Sequence, residues 1–114
     1  MHELAVTESI VSIACRHALQ AGAERVVRIN LVIGDLSTIV DDSVQFYFDF
    51  VSQNTAAFGA TLVFERVPVR LLCEGCGHRW HPADSDWECP ACHEQRAGVI
   101  SGREFYVDSI EVDP

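Results

Sequence analysis

Four of the five cysteines fall in one short stretch of the 114-residue chain, as Cys73-Glu-Gly-Cys76 and Cys89-Pro-Ala-Cys92. Each Cys-x-x-Cys unit can present two thiolates to one ion from a tight knuckle. Two such units twelve residues apart supply the four ligands of a closed tetrahedral site, the arrangement that holds structural zinc. Gly77 follows the first unit, where a left-handed turn frees backbone N–H groups to bond sulfur. Pro90 stiffens the second. The segment has too few apolar residues to fold unaided, so metal binding is expected to supply its folding energy.

Two other chemistries compete for these thiols. Cys-x-x-Cys-Gly and Cys-Pro-x-Cys also resemble rubredoxin iron knuckles, although the loop between the units is much shorter here, which favours a zinc ribbon. Cys-Pro-Ala-Cys alone could be a redox disulfide motif, but a second paired motif is better explained by ligation. His78, His81 and His93 flank the cysteines. Each alone reads as a surface residue or a support for a ligand. Together they leave ligand exchange at the zinc site as an open question.

A second nitrogen-rich group stands at the other end of the sequence. A free terminal amine, deprotonated backbone amides and the His2 imidazole can close fused chelate rings, a donor set suited to square-planar nickel(II) or copper(II). A methionine before a bulky second residue is expected to be retained, which keeps histidine at position two. The plainer reading, a solvated histidine, stays open on these residues alone.

The bulk properties narrow the function classes. The sequence is 48% apolar and carries a formal charge of −9, with 17 acids against 8 bases. All eight bases are arginine. An acidic chain repels phosphate backbones and anionic membranes. Residues 71–114 hold 9 acids against 3 arginines, which weakens the alternative of a zinc-ribbon nucleic-acid or transcription accessory protein. No apolar run approaches the roughly 18 residues of a membrane-spanning helix, and the N-terminus lacks the basic start of a signal peptide. An odd number of cysteines fits a reducing, cytoplasmic setting better than a disulfide framework. No catalytic triad, phosphate loop or paired carboxylates stand out, so the reading is a binding protein and not an enzyme.

The elements that must position these groups follow from periodicity. Glu3 to Ala21 reads as an amphipathic helix with Leu4, Ile10, Val11, Ala14 and Ala18 inward and Gly22 as its cap. Cys15 lies near that face as a small hydrophobe, with His17 toward solvent. Arg25 to Ile33 alternates as a half-buried strand, Val27, Ile29, Leu31 and Ile33 sharing a face. Asp41-Asp42-Ser43 reads as an N-cap region, with acids set against the dipole of a helix that starts at about Ser43. The helix then runs to about Asn54, and its Phe46, Tyr47, Phe48 and Phe50 are core and interface material. Thr61 to Leu72 reads as a second strand with Pro68 at an edge or bulge. Glu104 to Val112 reads as a third, with Tyr106, Ile110 and Val112 on one face. The two strands that bracket the cysteines are expected to pair with each other. The fold class is α+β: two helices on a small, mostly antiparallel three-stranded sheet, with an inserted four-cysteine zinc-ribbon-like module. The expected domains are 1–70 with 100–114, and an insert over 71–99.

Met1-His2-Glu3-Leu4 running into Ser9-Ile10-Val11, Val32-Ile33-Gly34 closing the first strand, Cys73-x-x-Cys76 and Trp87-x-Cys89-Pro90-x-Cys92 together resemble the HypA/HybF nickel-chaperone family of hydrogenase maturation proteins. The resemblance covers essentially the whole chain. It implies a nickel(II) site at the extreme N-terminus, with His2 as the histidine ligand and the Met1 amine and the backbone nitrogens of His2 and Glu3 beside it. Which of Asp35, Asp41 or Asp42 approaches that nickel stays open. It also implies structural zinc(II) on Cys73, Cys76, Cys89 and Cys92. Delivery to the [NiFe] hydrogenase large subunit, together with a nickel-handling GTPase, is implied as well, and urease is a client of some members. The aromatic helix and the strand edges offer surfaces for a homodimer.

Overall fold

The first helix, α1, spans Glu3–Gln20 and buries Thr7, Ile10, Val11, Ala14 and Ala18, a stripe at three- and four-residue spacing. Leu4 was expected on this stripe, but it is 44% exposed. Thr7 takes the inward position one turn on, and its hydroxyl donates to the Glu3 carbonyl at 2.5 Å, which removes the cost of burying a polar group. Ala23 N–H bonds the Ala18 carbonyl and Gly22 N–H bonds that of Leu19, a Schellman closure of the helix. The computed structural model describes residues 3–82 and 87–113. Met1 and His2, two of the nickel positions expected from the sequence, lie outside the described residues.

The second helix, α2, is Asp41–Val51. It begins two residues earlier than the Ser43 start expected and ends sooner. Its N-cap is Val40, which has no side-chain cap. Instead the Val40 N–H donates to the Glu3 carboxylate at 3.3 Å, so an acid at the start of α1 serves the start of α2. The aromatic run splits by helical phase. Phe48 is 1% exposed and joins Val44 in the core, whereas Phe46 is 72% and Phe50 67% exposed. Only Phe48 therefore contributes the roughly 2–3 kcal/mol of full aromatic burial.

The strands are β1 (Arg25–Gly34), β2 (Thr61–Val67), β3 (Arg70–Cys73), β4 (Arg79–Trp80), β5 (Ala97–Ser101) and β6 (Phe105–Asp113). They form two three-stranded sheets, ordered β2-β1-β6 and β4-β3-β5. Cross-strand partners Arg25–Asp113, Arg28–Glu111 and Asn30–Ser109 run in opposite chain directions, so β1 and β6 are antiparallel. Two expectations are corrected here. Thr61 to Leu72 is not one strand, because Pro68 has no N–H to continue a ladder, and the chain restarts as β3 in the other sheet. The strands bracketing the cysteines do not pair with each other either, since β1 lies between β2 and β6. The antiparallel closure belongs instead to β3 and β5, with Arg70 opposite Ser101 and Cys73 opposite Ala97.

The strict alternation expected of β1 and β6 also fails locally. Val26 is buried while Val27 is exposed, and full burial resumes at Ile29. In β6, Tyr106 faces solvent and Asp108 and Ser109 are consecutively exposed. One residue out of phase in a paired strand reverses the faces on either side of it.

The chain divides into two compact units. One comprises Met1–Val32, Thr38–Glu65 and Tyr106–Pro114, and the other Ile33–Ser37 and Arg66–Phe105. The first has its core in Ile10, Ala14, Val26, Ile29, Val44 and Phe48. The second has few buried residues, chiefly Ile33, Leu71, Cys73 and Cys89. None of the described helices is long and apolar enough to cross a membrane.

Candidate metal centre

The four clustered cysteines sit at the ends of short, locally determined turns. Cys73 closes β3, and its N–H bonds the His78 carbonyl at 2.8 Å while Gly77 N–H returns to the Cys73 carbonyl at 3.1 Å. The second unit repeats this pattern. Cys89 N–H bonds the Glu94 carbonyl at 2.9 Å, and His93 N–H returns to Cys89 at 2.9 Å. Both turns need a left-handed residue immediately after the second cysteine. Gly77 supplies it at φ 78° and His93 at φ 65°. The first is a residue that adopts this backbone freely, whereas the second does so at a cost. The role of His93 was missed in the sequence, where it read only as a flanking imidazole. Its place as the counterpart of Gly77 in the second knuckle was the available signal.

Each knuckle aims N–H groups at its inner sulfur. Gly75 and Cys76 donate to Cys73 Sγ at 3.3 and 3.4 Å, and Ala91 donates to Cys89 Sγ at 3.4 Å. The two knuckles then meet. Cys73 Sγ is 3.6 Å from Cys92 Sγ, and Cys76 Sγ is 3.7 Å from Cys89 Sγ. All four sulfurs lie within 4.8 Å of one another. A tetrahedron with metal–sulfur bonds of about 2.3 Å has edges of about 3.8 Å, so the four fit around one ion of zinc's size. Cys73 and Cys89 are buried, and Cys76 and Cys92 face solvent.

The thiols do not ionise alike. The Cys73 thiol is held down at about 7, above all by the Cys76 N–H, and burial opposes this without prevailing. For Cys92, the Glu94 N–H lowers the value, but the Cys76 and Cys73 sulfurs outweigh it and push it up to about 12. Cys76 is also raised: the His78 N–H lowers it, and burial with the Cys73 and Cys89 sulfurs prevails. At pH 7, then, Cys76 and Cys92 hold protons that a metal must displace. Each proton expelled steepens apparent affinity by about tenfold per pH unit. Affinity of the four cysteines for a divalent ion such as zinc is expected to fall at least about a hundredfold from pH 7 to pH 6, and further once Cys73 is protonated. Competition against a chelator at the two pH values checks this, and a pH-independent affinity contradicts it.

The flanking histidines are engaged elsewhere. The His78 ring stacks on Trp80 at 6.0 Å and 11°. His81 Nδ1 is 2.7 Å from the Val69 carbonyl oxygen. His93 Nδ1 is 2.8 Å from Glu88 Oε2. Among the described residues, the group able to hold a metal consists of the four cysteines alone. Cys15 is half-buried on α1 and takes no part. Glu3, the described member of the N-terminal set, engages Val40 as above.

Comparison with known proteins decides the family. The profile described as "Hydrogenase/urease nickel incorporation, metallochaperone, hypA" matches residues 1–112. The chain belongs to the HypA family. Among HypA relatives, hydrogenase maturation factor HypA of Dehalococcoides mccartyi is 44% identical over 113 residues, covering 99% of this chain and 95% of that protein. The Geobacter metallireducens HypA is 41% identical over 113 residues, covering 99% and 100%. A solution structure of a HypA protein superimposes with a TM-score of 0.77 at 25% identity, covering 98% of this chain and 96% of that one. The solution structure of the nickel metallochaperone HypA from Helicobacter pylori shares the fold, with a TM-score of 0.68 at 24% identity and 98% and 97% coverage. The HypA fold is thus α+β, and the chain is a maturation factor of the nickel metallochaperone family, with a four-cysteine cluster in its smaller-cored unit.

Proposed function

We propose that this protein carries nickel(II) at its N-terminus and hands it to the [NiFe] hydrogenase large subunit, acting with a nickel-handling GTPase in the cytoplasm. The observation that carries this reading is the family match beginning at residue 1, because it takes in Met1-His2-Glu3. His2 contributes its imidazole, the Met1 amine a second nitrogen, and the backbone nitrogens of His2 and Glu3 complete a set suited to Ni(II). A carrier must also release its cargo, and ligands at a chain end can be exchanged one at a time with an acceptor.

Cys73, Cys76, Cys89 and Cys92 hold zinc(II) in this reading. Zinc has no redox chemistry and four thiolates close its coordination, so it acts as a staple for the knuckles. The division of labour is chemical: soft thiolates retain zinc, and a separate nitrogen site handles nickel. Neutral His2 is required, so nickel affinity falls as pH drops through the imidazole range near about 6.5.

The test is metal analysis with nickel titration of untagged wild type and His2→Ala. The expected result is one zinc in both proteins and tight nickel binding only in wild type. A tag extending beyond Met1, which removes its free amine, is expected to weaken nickel binding as well. Nickel affinity retained in His2→Ala would exclude the N-terminal site.

A further inference from the structure

The exposed face of α2 carries an inference that involves neither metal. Asp42, Phe46, Asp49, Phe50 and Gln53 project from one side of the helix, opposite the buried Val44 and Phe48. Phe46 and Phe50, one turn apart, line an open groove of about 510 Å³ together with Tyr47, Asp49 and Gln53. Phe46 is braced edge-on by Tyr47, with ring centroids 5.4 Å apart at 73°. Two outward phenylalanines on one turn cost solubility and add nothing to the core.

The acids on this face say what kind of surface would cover it. Asp41 and Asp42 are explained by the helix itself, since acids in a first turn favour the dipole. Asp49 is not. It stands in the last turn, where a carboxylate opposes the dipole, and it lies between the two phenylalanines along the stripe. Gln45 Nε2 donates to Asp49 Oδ1 at 3.0 Å, which holds the carboxylate beside the groove. The helix contains three acids and no base. In a symmetric contact a second copy would bring the same Asp42 and Asp49 to this face, and three of its eight arginines, Arg25, Arg28 and Arg96, are already paired with Asp113, Glu111 and Glu94. Like charges brought together at an interface are penalised.

We propose that the α2 face is a docking site for a protein partner that presents apolar side chains from a lysine- or arginine-rich helix. The apolar side chains enter the groove between Phe46 and Phe50, and a cationic neighbour meets Asp49. Aromatic anchors with a charged rim are the usual anatomy of such a contact.

The experiment uses the full-length, zinc-replete protein and two synthetic amphipathic helical peptides, one of leucine and lysine and one of leucine and glutamate. Backbone amide shifts map where each binds. The leucine–lysine peptide is expected to shift α2 resonances around Phe46 and Phe50. Phe46→Ser is expected to weaken binding by about tenfold or more. Asp49→Arg is expected to do the same and to gain affinity for the leucine–glutamate peptide. Both side chains are outside the core, and an unchanged thermal midpoint verifies folding; Phe50→Ala serves as the second variant should Phe46→Ser fail that check. The proposal is overturned by unshifted α2 resonances, by equal binding of both peptides, or by binding that ignores Asp49→Arg. It is also overturned if sedimentation finds a wild-type dimer that the phenylalanine variants disperse, which would make a second copy the occupant.

Discussion

Cys89→Ser, or removal of the metal by a strong chelator, is expected to unfold the cysteine-bearing unit while leaving the helices of the other unit in place. The unit built from Ile33–Ser37 and Arg66–Phe105 buries few apolar side chains, and two of those are the candidate metal ligands Cys73 and Cys89. Its hydrophobic contribution cannot offset the backbone entropy of ordering that length of chain. Apparent binding energies of structural zinc sites are on the order of 10–16 kcal/mol, comparable to the whole stability of an ordinary domain. The α1 and α2 unit has its own core in Ile10, Val44 and Phe48 and does not depend on the metal in the same way. The loss should be graded. Cys73 and Cys89 are buried, whereas Cys76 and Cys92 are exposed. Serine at either inner position should therefore abolish stoichiometric zinc, and serine at an outer position should weaken it. Amide exchange reads the outcome: protection in β3 and β5 should collapse in Cys89→Ser, with α1 and α2 protection and the helical circular dichroism retained. Undiminished protection in β3 would refute a metal-dependent fold.

How far the sequence was legible depends on how local each determinant is. The metal cluster was legible because each Cys-x-x-Cys turn is set by residues within a few positions, and only one further step, the meeting of two knuckles, had to be inferred. The α+β class was legible because α1 keeps its helical period over a long stretch and β1, β2 and β6 are rich in β-branched and aromatic residues, even where the strict alternation fails. What failed was longer in range or smaller in size. Thr61 to Leu72 reads as one strand by composition, and only the second sheet reveals that Pro68 divides it between β2 and β3. The aromatics of α2 look alike in sequence, yet the phase set by packing α2 on α1 sends Phe48 inward and Phe46 and Phe50 out. Leu4 stays largely exposed while Thr7, which the apolar pattern does not mark, is buried, because its hydroxyl satisfies itself on its own helix. The nickel positions are a different case. They are an expectation from chelate chemistry and family resemblance, not from any fold pattern, and Met1 and His2 are outside the described residues.

Gly34→Ala is expected to be among the most damaging single substitutions, for a reason that no local pattern announces. Gly34 ends β1 in ordinary extended backbone, so it is not there for a left-handed turn. It is there because the chain at Gly102–Arg103 crosses directly over it: a Cβ on Gly34 would coincide with the Gly102 carbonyl and press on the Arg103 nitrogen. Both sides of the clash are main chain, so no rotamer change relieves it. The crossing is also fastened. Gly34 N–H bonds the Glu104 carbonyl at 2.7 Å, Leu36 N–H bonds that of Gly102 at 2.7 Å, and Asp35 N–H bonds that of Val67 at 2.9 Å. Making room means pulling these bonds apart within a unit that has little apolar core to spare. Overpacking against backbone and the loss of buried hydrogen bonds together place the expected cost at about 4 kcal/mol or more. Gly98→Ala is the matched control, because a Cβ there meets nothing within 4 Å and should shift stability by less than about 1 kcal/mol. Urea unfolding of the zinc-bound proteins separates the two. Equal midpoints for Gly34→Ala and Gly98→Ala would mean that the crossing opens without cost, and that the glycine closing β1 has some role other than admitting the chain at Gly102.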